Sequence, residues 1–212
     1  MDPALVVAFV VAAFLLSVAP GPDMLFIVAN AAAGGRRAGL VSAVGMSTGL
    51  AVHTVAAALG LGALIAAAPE ALAVIRVAGA GFLVYLAVSS WRASRAGAAE
   101  EQAGPVKERS LRKLYAMATL TNLANPKVVL FYLAFLPQFL SHGHGAWPIP
   151  VQLLTLGVVF IVVGLSVDGT VGFTAGSLAD KLLGRPAVRR RLERASSLIF
   201  GGLAVRLALD SR

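Results

Sequence analysis

The chain has 212 residues, of which 58% are hydrophobic and 13% charged, and its mean hydropathy is +0.83. Ordinary soluble domains have about 45–50% apolar and about 25% charged residues, so the composition excludes a typical soluble domain and indicates a polytopic membrane protein. The absence of cysteine excludes disulfides and thiolate metal sites, and the net charge of +8 comes from basic clusters beside apolar runs, which favours a lipid bilayer over nucleic acid as partner.

Six apolar segments follow one another along the chain, and we predict that each spans the membrane as a helix. About 20 residues cross the hydrocarbon core of a bilayer. The sixth segment is short, so we expect its helix to begin before Ala195, with arginine side chains reaching the headgroups. The segments are Ala4–Ala33, Gly39–Ala68, Ala71–Trp91, Leu114–Leu140, Ile149–Ala175 and Ala195–Leu209.

Basic residues in the connecting loops predict the orientation of these segments. The first, third and fifth loops contain two, six and six Lys or Arg residues, which is 14 of the chain's 18, and the second and fourth loops contain none. Because basic residues beside membrane spans mark the cytoplasmic side, both termini are predicted to lie outside. A single transmembrane domain over 1–212 would then consist of two inverted three-helix repeats, about 4–91 and about 114–209, with a cytoplasmic linker over about 92–113.

Proline breaks interrupt the first and fourth segments. Pro20-Gly21-Pro22-Asp23 forms the first break, and Asn125-Pro126-Lys127 forms the second. Such breaks free backbone groups that must find partners in protein or in a water-lined cavity, and corresponding breaks in two halves indicate a transporter's binding site. We predict that the breaks meet near the midplane, with half-helix N-termini facing a substrate carboxylate and freed carbonyls facing an ammonium group or a coupling ion. A structural Asp23–Lys127 pair between kinked helices is the alternative.

Asp168 and His53 are further candidates for the substrate and ion path. Asp168 follows an apolar run, and a carboxylate at that depth could bind and release a coupling proton, unless the span ends before it. His53 shares a helical face with Gly45 and Gly49, so we expect close helix contact there, with the histidine hydrogen-bonded across it or relaying protons. Small-residue faces of this kind are also compatible with a homodimer.

Four amide side chains are further polar groups at or near bilayer depth. They could line a path or fasten helices together. Of the four, Asn125 is the best placed for function, because the residue before a proline is driven away from helical geometry. The amides are Asn30, Asn122, Asn125 and Gln138.

The usual enzyme signatures are absent from the sequence. It has no glycine-rich phosphate loop, no pair of histidines with metal-ligand spacing on a helix, and no nucleophile elbow. His142 and His144 would need more ligands to bind a metal, so we predict no metal site. Because the enzyme signatures are missing, we also predict no cofactor and no enzyme activity. A channel or exporter for another solute, such as a cation, is the alternative within transport. A membrane-embedded enzyme using His53 with Asp23 or Asp168 is the alternative outside it.

Several motifs are specific when they are taken together. They are Pro20-Gly21-Pro22-Asp23-Met24, Gly35-Arg36-Arg37-Ala38-Gly39-Leu40, the Gly45, Gly49 and His53 series, Asn122-Leu123-Ala124-Asn125-Pro126-Lys127, and the run from Phe131 to Phe139. Over about residues 20–200 the chain resembles the LysE/RhtB family of amino-acid exporters, and most closely its homoserine/threonine branch. The resemblance implies a bacterial inner (plasma) membrane protein that exports amino acids or related metabolites against protons. We expect alternating access around a site between segments one and four.

Overall fold

The structure is a computed structural model that describes residues 1–61, 69–95, 110–143, 145–174 and 186–209. The middle of the predicted linker, most of the fifth loop and His144 lie outside the described residues. Within them, all regular structure is helical. The helices are α1 (Pro3–Val18), α2 (Pro22–Ala56), α3 (Pro69–Arg95), α4 (Leu111–Leu123), α5 (Pro126–Leu130), α6 (Ile149–Thr174) and α7 (Pro186–Leu209). A π-helical turn, Ala57–Leu61, continues α2, and a π-helical turn, Phe131–Phe135, and a 3-10 turn, Leu136–Phe139, continue α5.

Five apolar helical stretches in the described part of the chain differ in length. In the described part of the chain, Pro22–Gly60 and Ile149–Thr174 are long and apolar enough to cross a membrane. Pro3–Val18, Val77–Arg92 and Pro126–Phe139 are apolar but shorter. The helix of the sixth segment begins at Pro186, so it extends N-terminally beyond Ala195, as expected.

Both proline breaks interrupt their helices, as predicted. α1 ends at Val18 because Ala19, which precedes Pro20, is extended, with φ of −63° and ψ of 119°. α2 then begins at Pro22. α4 ends at Leu123, and the extended residue Asn125 separates it from α5. Segments one and four are therefore each built from two helical pieces.

Gly35 introduces a kink that we did not predict. Its φ of 71° lies in the left-handed region, which glycine adopts without strain. The kink divides α2 into an arm over 22–34 and an arm over 36–56. The predicted first loop is therefore a kink rather than a separate connection. Arg36 beside it places its guanidinium 4.6 Å from the centre of the Phe173 ring near the end of α6.

The second arm of α2 runs parallel to α4 through a glycine contact. A Cβ added at Gly45 would meet Tyr115 and Ala118, and one added at Gly49 would meet Asn122. The residue numbers rise together along both helices, so the helices point the same way. The close contact predicted for the Gly45 and Gly49 face is confirmed.

The same arm runs antiparallel to α6. Gly39 faces Gly172, whereas Thr54 faces Gly157, so the numbers rise along α2 as they fall along α6. These glycines permit the close approach of two helix backbones.

α1 runs antiparallel to the second half of segment four. The ring of Phe9, in the first half of α1, lies 5.2 Å from the ring of Phe139, whereas Leu16 near its end contacts Lys127. The backbone N–H of Asp2 donates to Ser141 Oγ at 2.8 Å, which places the N-terminus beside the loop after segment four. Relative helix directions do not assign either end of a helix to a side of the membrane, so the orientation that the basic loops predict stays a prediction.

Phenylalanine rings form the centre of the buried core between α1, segment four and α6. Phe131 and Phe160 have ring centres 4.7 Å apart, and Phe9 packs against both. Phe135 and Phe139 extend the cluster along segment four. This core lies on one side of the two breaks and fixes the distance between α1 and α6.

Replacing Gly172 with alanine should lower the midpoint of thermal unfolding in detergent. The added Cβ would lie 2.7 Å from the Gly39 carbonyl, and overpacking of a tight contact costs about 1–3 kcal/mol. Gly169→Ala is the matched control on the same helix, because a Cβ there meets open space and should leave the midpoint unchanged or raise it. Equal midpoints for the two variants would contradict the contact.

Candidate functional site

Lys127 joins the two breaks. In a continuous helix the carbonyl of Leu16 would accept from the N–H of residue 20, but Pro20 has none. Lys127 Nζ donates instead to Leu16 O and to Ala19 O, each at 3.1 Å. An ammonium group has three donors, so one remains for a further acceptor. The freed carbonyls of the first break therefore face an ammonium group, which belongs to the Lys127 side chain and not to a substrate.

Gly21 provides the space for this lysine. A Cβ added at Gly21 would lie 3.3 Å from Lys127 Nζ. Pro22, the first residue of α2, follows it, and Gly21 contributes no side-chain cap to that helix. The Pro20-Gly21-Pro22 sequence therefore frees the carbonyls and also leaves room for the side chain that binds them.

Asp23 is paired with an amide rather than with Lys127. It lies buried in the first turn of α2, and its Oδ2 accepts from Asn122 Nδ2 at 2.8 Å. Its Oδ1 and the Oδ1 of Asn122 have no hydrogen-bond partner among the described residues. Asp23 makes no direct hydrogen bond with Lys127, but both line one cavity, so the alternative of a structural Asp23–Lys127 charge pair stays open.

Asn125 closes the helix N-terminus at the second break. Its Oδ1 accepts from the backbone N–H of Lys127 at 3.0 Å, and Pro126 is the first residue of α5. The expectation that this N-terminus is open to a substrate carboxylate is therefore wrong, because the Asn125 side chain already occupies it. The Asn125 amide nitrogen is buried and has no partner in the described part of the structure.

A small polar cavity lies between the breaks. Its volume is about 30 Å³, which is room for about two water molecules. Asp168 reaches this cavity from α6, which continues to Thr174, so the helix does not end before the carboxylate. The cavity thus collects one ammonium and two carboxylates in mainly apolar surroundings. Its lining residues are Leu16, Ser17, Asp23, Met24, Leu50, Asn122, Lys127, Val128, Phe160, Gly164 and Asp168.

His53 lies in a second polar cluster rather than in the cavity lining. Its ring stacks on Tyr132 with ring centres 5.4 Å apart, and it lies next to the backbone of Asn122. The Tyr132 hydroxyl donates to Leu50 O at 3.1 Å and lies 2.8 Å from the Thr54 hydroxyl. His53 Nε2 is buried without a hydrogen-bond partner among the described residues. Tyr132 belongs to a π-helical turn, a feature that often marks functional sites.

Sequence reasoning left Asn122 and Tyr132 out of the candidate site. Apart from Asn125, the intramembrane amides looked equivalent in the sequence, but Asn30 and Gln138 donate within their own helices, to Phe26 O and Ala134 O. Only Asn122 reaches across to Asp23. Its position four residues before Pro126 was the available signal, whereas Tyr132 gave none beyond its place in an apolar run.

Comparisons with known proteins place the sequence among transporters. The family of LysE type translocators matches residues 14–211. The chain is 32% identical over 193 residues to a homoserine/homoserine lactone efflux protein of Salmonella typhimurium, covering 91% of this chain and 90% of the relative. It is 30% identical over 217 residues to a leucine efflux protein of Klebsiella pneumoniae, covering 94% and 92%. It is also 30% identical over 211 residues to an uncharacterized membrane protein of Vibrio cholerae, covering 98% of each. No solved structure matches the chain significantly.

Asn122→Ala should lower the unfolding midpoint in detergent more than Asn30→Ala does. Both residues are buried asparagines, but only the loss of Asn122 deprives the buried Asp23 carboxylate of its hydrogen-bond donor. An unsatisfied buried polar group costs about 1–3 kcal/mol. Midpoints that fall equally in the two variants would show that the Asp23–Asn122 bond contributes nothing specific.

Proposed function

The chain belongs to the LysE type translocators, and from this membership we propose that it is a secondary transporter that exports an amino acid or a related small metabolite. Two relatives at 30–32% identity are named as efflux proteins, one for homoserine and its lactone and one for leucine. These three molecules share a primary ammonium group, although their side chains differ and the lactone has no free carboxylate. The observation that carries the proposal is the polar cavity between two broken helices.

We propose six spans in two inverted halves, with both termini outside the inner membrane of a bacterium. In such a repeat, segments one and four, two and five, and three and six are equivalent. Contacts between the described helices support this arrangement, because α1 meets segment four, α2 packs on α6, and α3 packs on α7. The antiparallel direction of the first two pairs is what opposite insertion of the halves requires.

Transport by alternating access would separate the two breaks. The cavity of about 30 Å³ is too small for an amino acid, so the site is closed in this conformation. The bonds from Lys127 to Leu16 O and Ala19 O hold it closed. Opening toward the cytoplasm would admit substrate, and opening outward would release it.

Lys127 also has the means to bind substrate. Two of its three donors are used by carbonyls of the first break, and the third is left for an acceptor in the cavity. A substrate carboxylate fits this donor by charge and by hydrogen bonding, and charge-assisted bonds of this type are the stronger ones. Asp168 lies in the same cavity and is the proposed carrier of the coupling proton.

Lys127→Met should reduce the transport of radiolabelled leucine and homoserine in proteoliposomes by at least about tenfold, which corresponds to about 1.4 kcal/mol. The variant loses both the link between the breaks and the donor for a carboxylate. Lys113→Met is the matched control, because Lys113 is exposed in the first turn of α4 and should leave the rate unchanged. A monodisperse Lys127→Met protein with the wild-type rate would remove the lysine from the mechanism.

Asp168→Asn should separate exchange from proton coupling. In proteoliposomes with an acidic lumen, the variant should no longer accumulate substrate, because it has lost the group that carries the proton. It should still exchange internal for external substrate, a process that needs no net proton movement. Full gradient-driven accumulation by Asp168→Asn would exclude the residue as the proton carrier. A chemically altered substrate in the same assay would favour the membrane-embedded enzyme instead.

A further inference from the structure

Two residues that line the cavity, Asp23 and Asn122, each carry a buried oxygen without a hydrogen-bond donor among the described residues. Asp23 Oδ1 and Asn122 Oδ1 have no partner among the described residues, although both side chains are more than nine-tenths buried. The two side chains are joined by their 2.8 Å hydrogen bond, and both line the cavity. Native proteins rarely leave buried acceptors unpaired, and each such atom requires an explanation.

The hydrogen-bonding groups of Asp23 and Asn122 determine which ligand groups these two side chains can bind. An ionised carboxylate only accepts hydrogen bonds, so Asn122 must present its NH₂ group to Asp23, and its carbonyl oxygen is left as an acceptor. The pair therefore has two acceptor oxygens: Asp23 Oδ1, which carries the negative charge, and Asn122 Oδ1, which lies against Gly49. A group that carries several donors and a positive charge matches this site, whereas a second carboxylate does not.

Among the described lining residues, the donor that no hydrogen bond uses is the third N–H of Lys127, and it reaches neither of the two oxygens. Lys127 donates to the two carbonyls of the first break, and the Ser17 hydroxyl donates to Ala13 O. Asp168 is an acceptor when it is ionised, and the remaining lining residues carry apolar side chains or none. A donor for these oxygens therefore comes from a water in the cavity or from a bound molecule, and only a bound cation would also compensate the charge of Asp23.

We propose that Asp23 and Asn122 form the subsite that recognises a primary ammonium group of the substrate. This inference rests on the proposed export function and adds its chemical requirement. The ammonium donates to Asp23 Oδ1 and Asn122 Oδ1, while the free donor of Lys127 serves an acceptor elsewhere on the substrate. The protein therefore transports amines, and it discriminates against otherwise identical molecules that carry a hydroxyl group in place of the amine.

The test compares matched pairs of substrates in proteoliposomes. Leucine is paired with 2-hydroxy-4-methylpentanoate, and homoserine with 2,4-dihydroxybutyrate, so that each pair differs only at the amine. With wild-type protein, we expect the amine to be transported at least about tenfold faster than its hydroxy analogue in any pair that is transported, a preference of about 1.4 kcal/mol. Asp23→Asn keeps the size of the side chain but removes its charge, and it should bring the two rates within about threefold of each other.

Asn30→Ala is the control variant, because Asn30 is a buried asparagine outside the cavity lining and should leave the amine preference unchanged. Equal rates for both members of a pair with wild-type protein would overturn the ammonium subsite and leave the export function standing. Transport of no member of any pair, and of none of the other standard amino acids in the same assay, would overturn the export function itself.

Two further results would also overturn the proposal. A folded Asp23→Asn variant that kept the full amine preference would show that the ammonium binds elsewhere. Equal rates within a pair, combined with loss of transport when choline replaces sodium, would assign the two oxygens to a metal cation. Size-exclusion chromatography establishes whether the variant is folded, and if it is not, the wild-type comparison decides.

Discussion

At the centre of this protein, a side-chain ammonium group replaces a backbone hydrogen-bond donor that a proline has removed. Pro20 leaves the Leu16 carbonyl without its helical donor in a largely apolar interior, and Lys127 brings an ammonium group into the same interior. Either group alone would be costly to bury, because an unpaired carbonyl and an unpaired charge both lose their hydration. Together they satisfy each other, and the end of α1 is thereby fixed to the start of α5.

Glycine makes this polar centre possible. Gly21 leaves room for the lysine ammonium, and Gly49 leaves room for the Asn122 amide that reaches Asp23. Small residues let helix backbones approach closely, so short polar side chains can bridge between helices. The glycines between α2 and α6 then bring Asp168 to the same cavity. The polar site and the close packing of the helices are therefore one structural feature.

The sequence predicted the parts of the site that follow from covalent chemistry. Proline in a helix interior removes a backbone hydrogen bond, so both breaks were predictable, and glycine spacing predicted a close helix contact at the Gly45 and Gly49 face without identifying α4 as the partner. The partner of Lys127 was not predictable, because a carboxylate and a freed carbonyl both attract an ammonium group and only the fold decides between them. Asn30 and Asn122 are the same residue type in similar apolar runs, and their neighbours alone distinguish them. The kink at Gly35 required a backbone dihedral that many glycines in this chain could have adopted. The six-span count, the inverted repeat and the roles of the site residues stay predictions.

In the proposed antiport, the charges in the cavity supply a physical reason for the proton and the substrate to compete. Asp23 and Asp168 share a small space with a single lysine, and two carboxylates in mainly apolar surroundings repel each other when both are charged. A proton bound to Asp168 relieves that repulsion, and so does a substrate ammonium bound beside Asp23. Binding of either cation would reduce the electrostatic attraction of the site for the other. The proton and the substrate ammonium would therefore lower each other's affinity. A site that favours either the proton or the ammonium, and opens to one side at a time, has the competition that antiport requires.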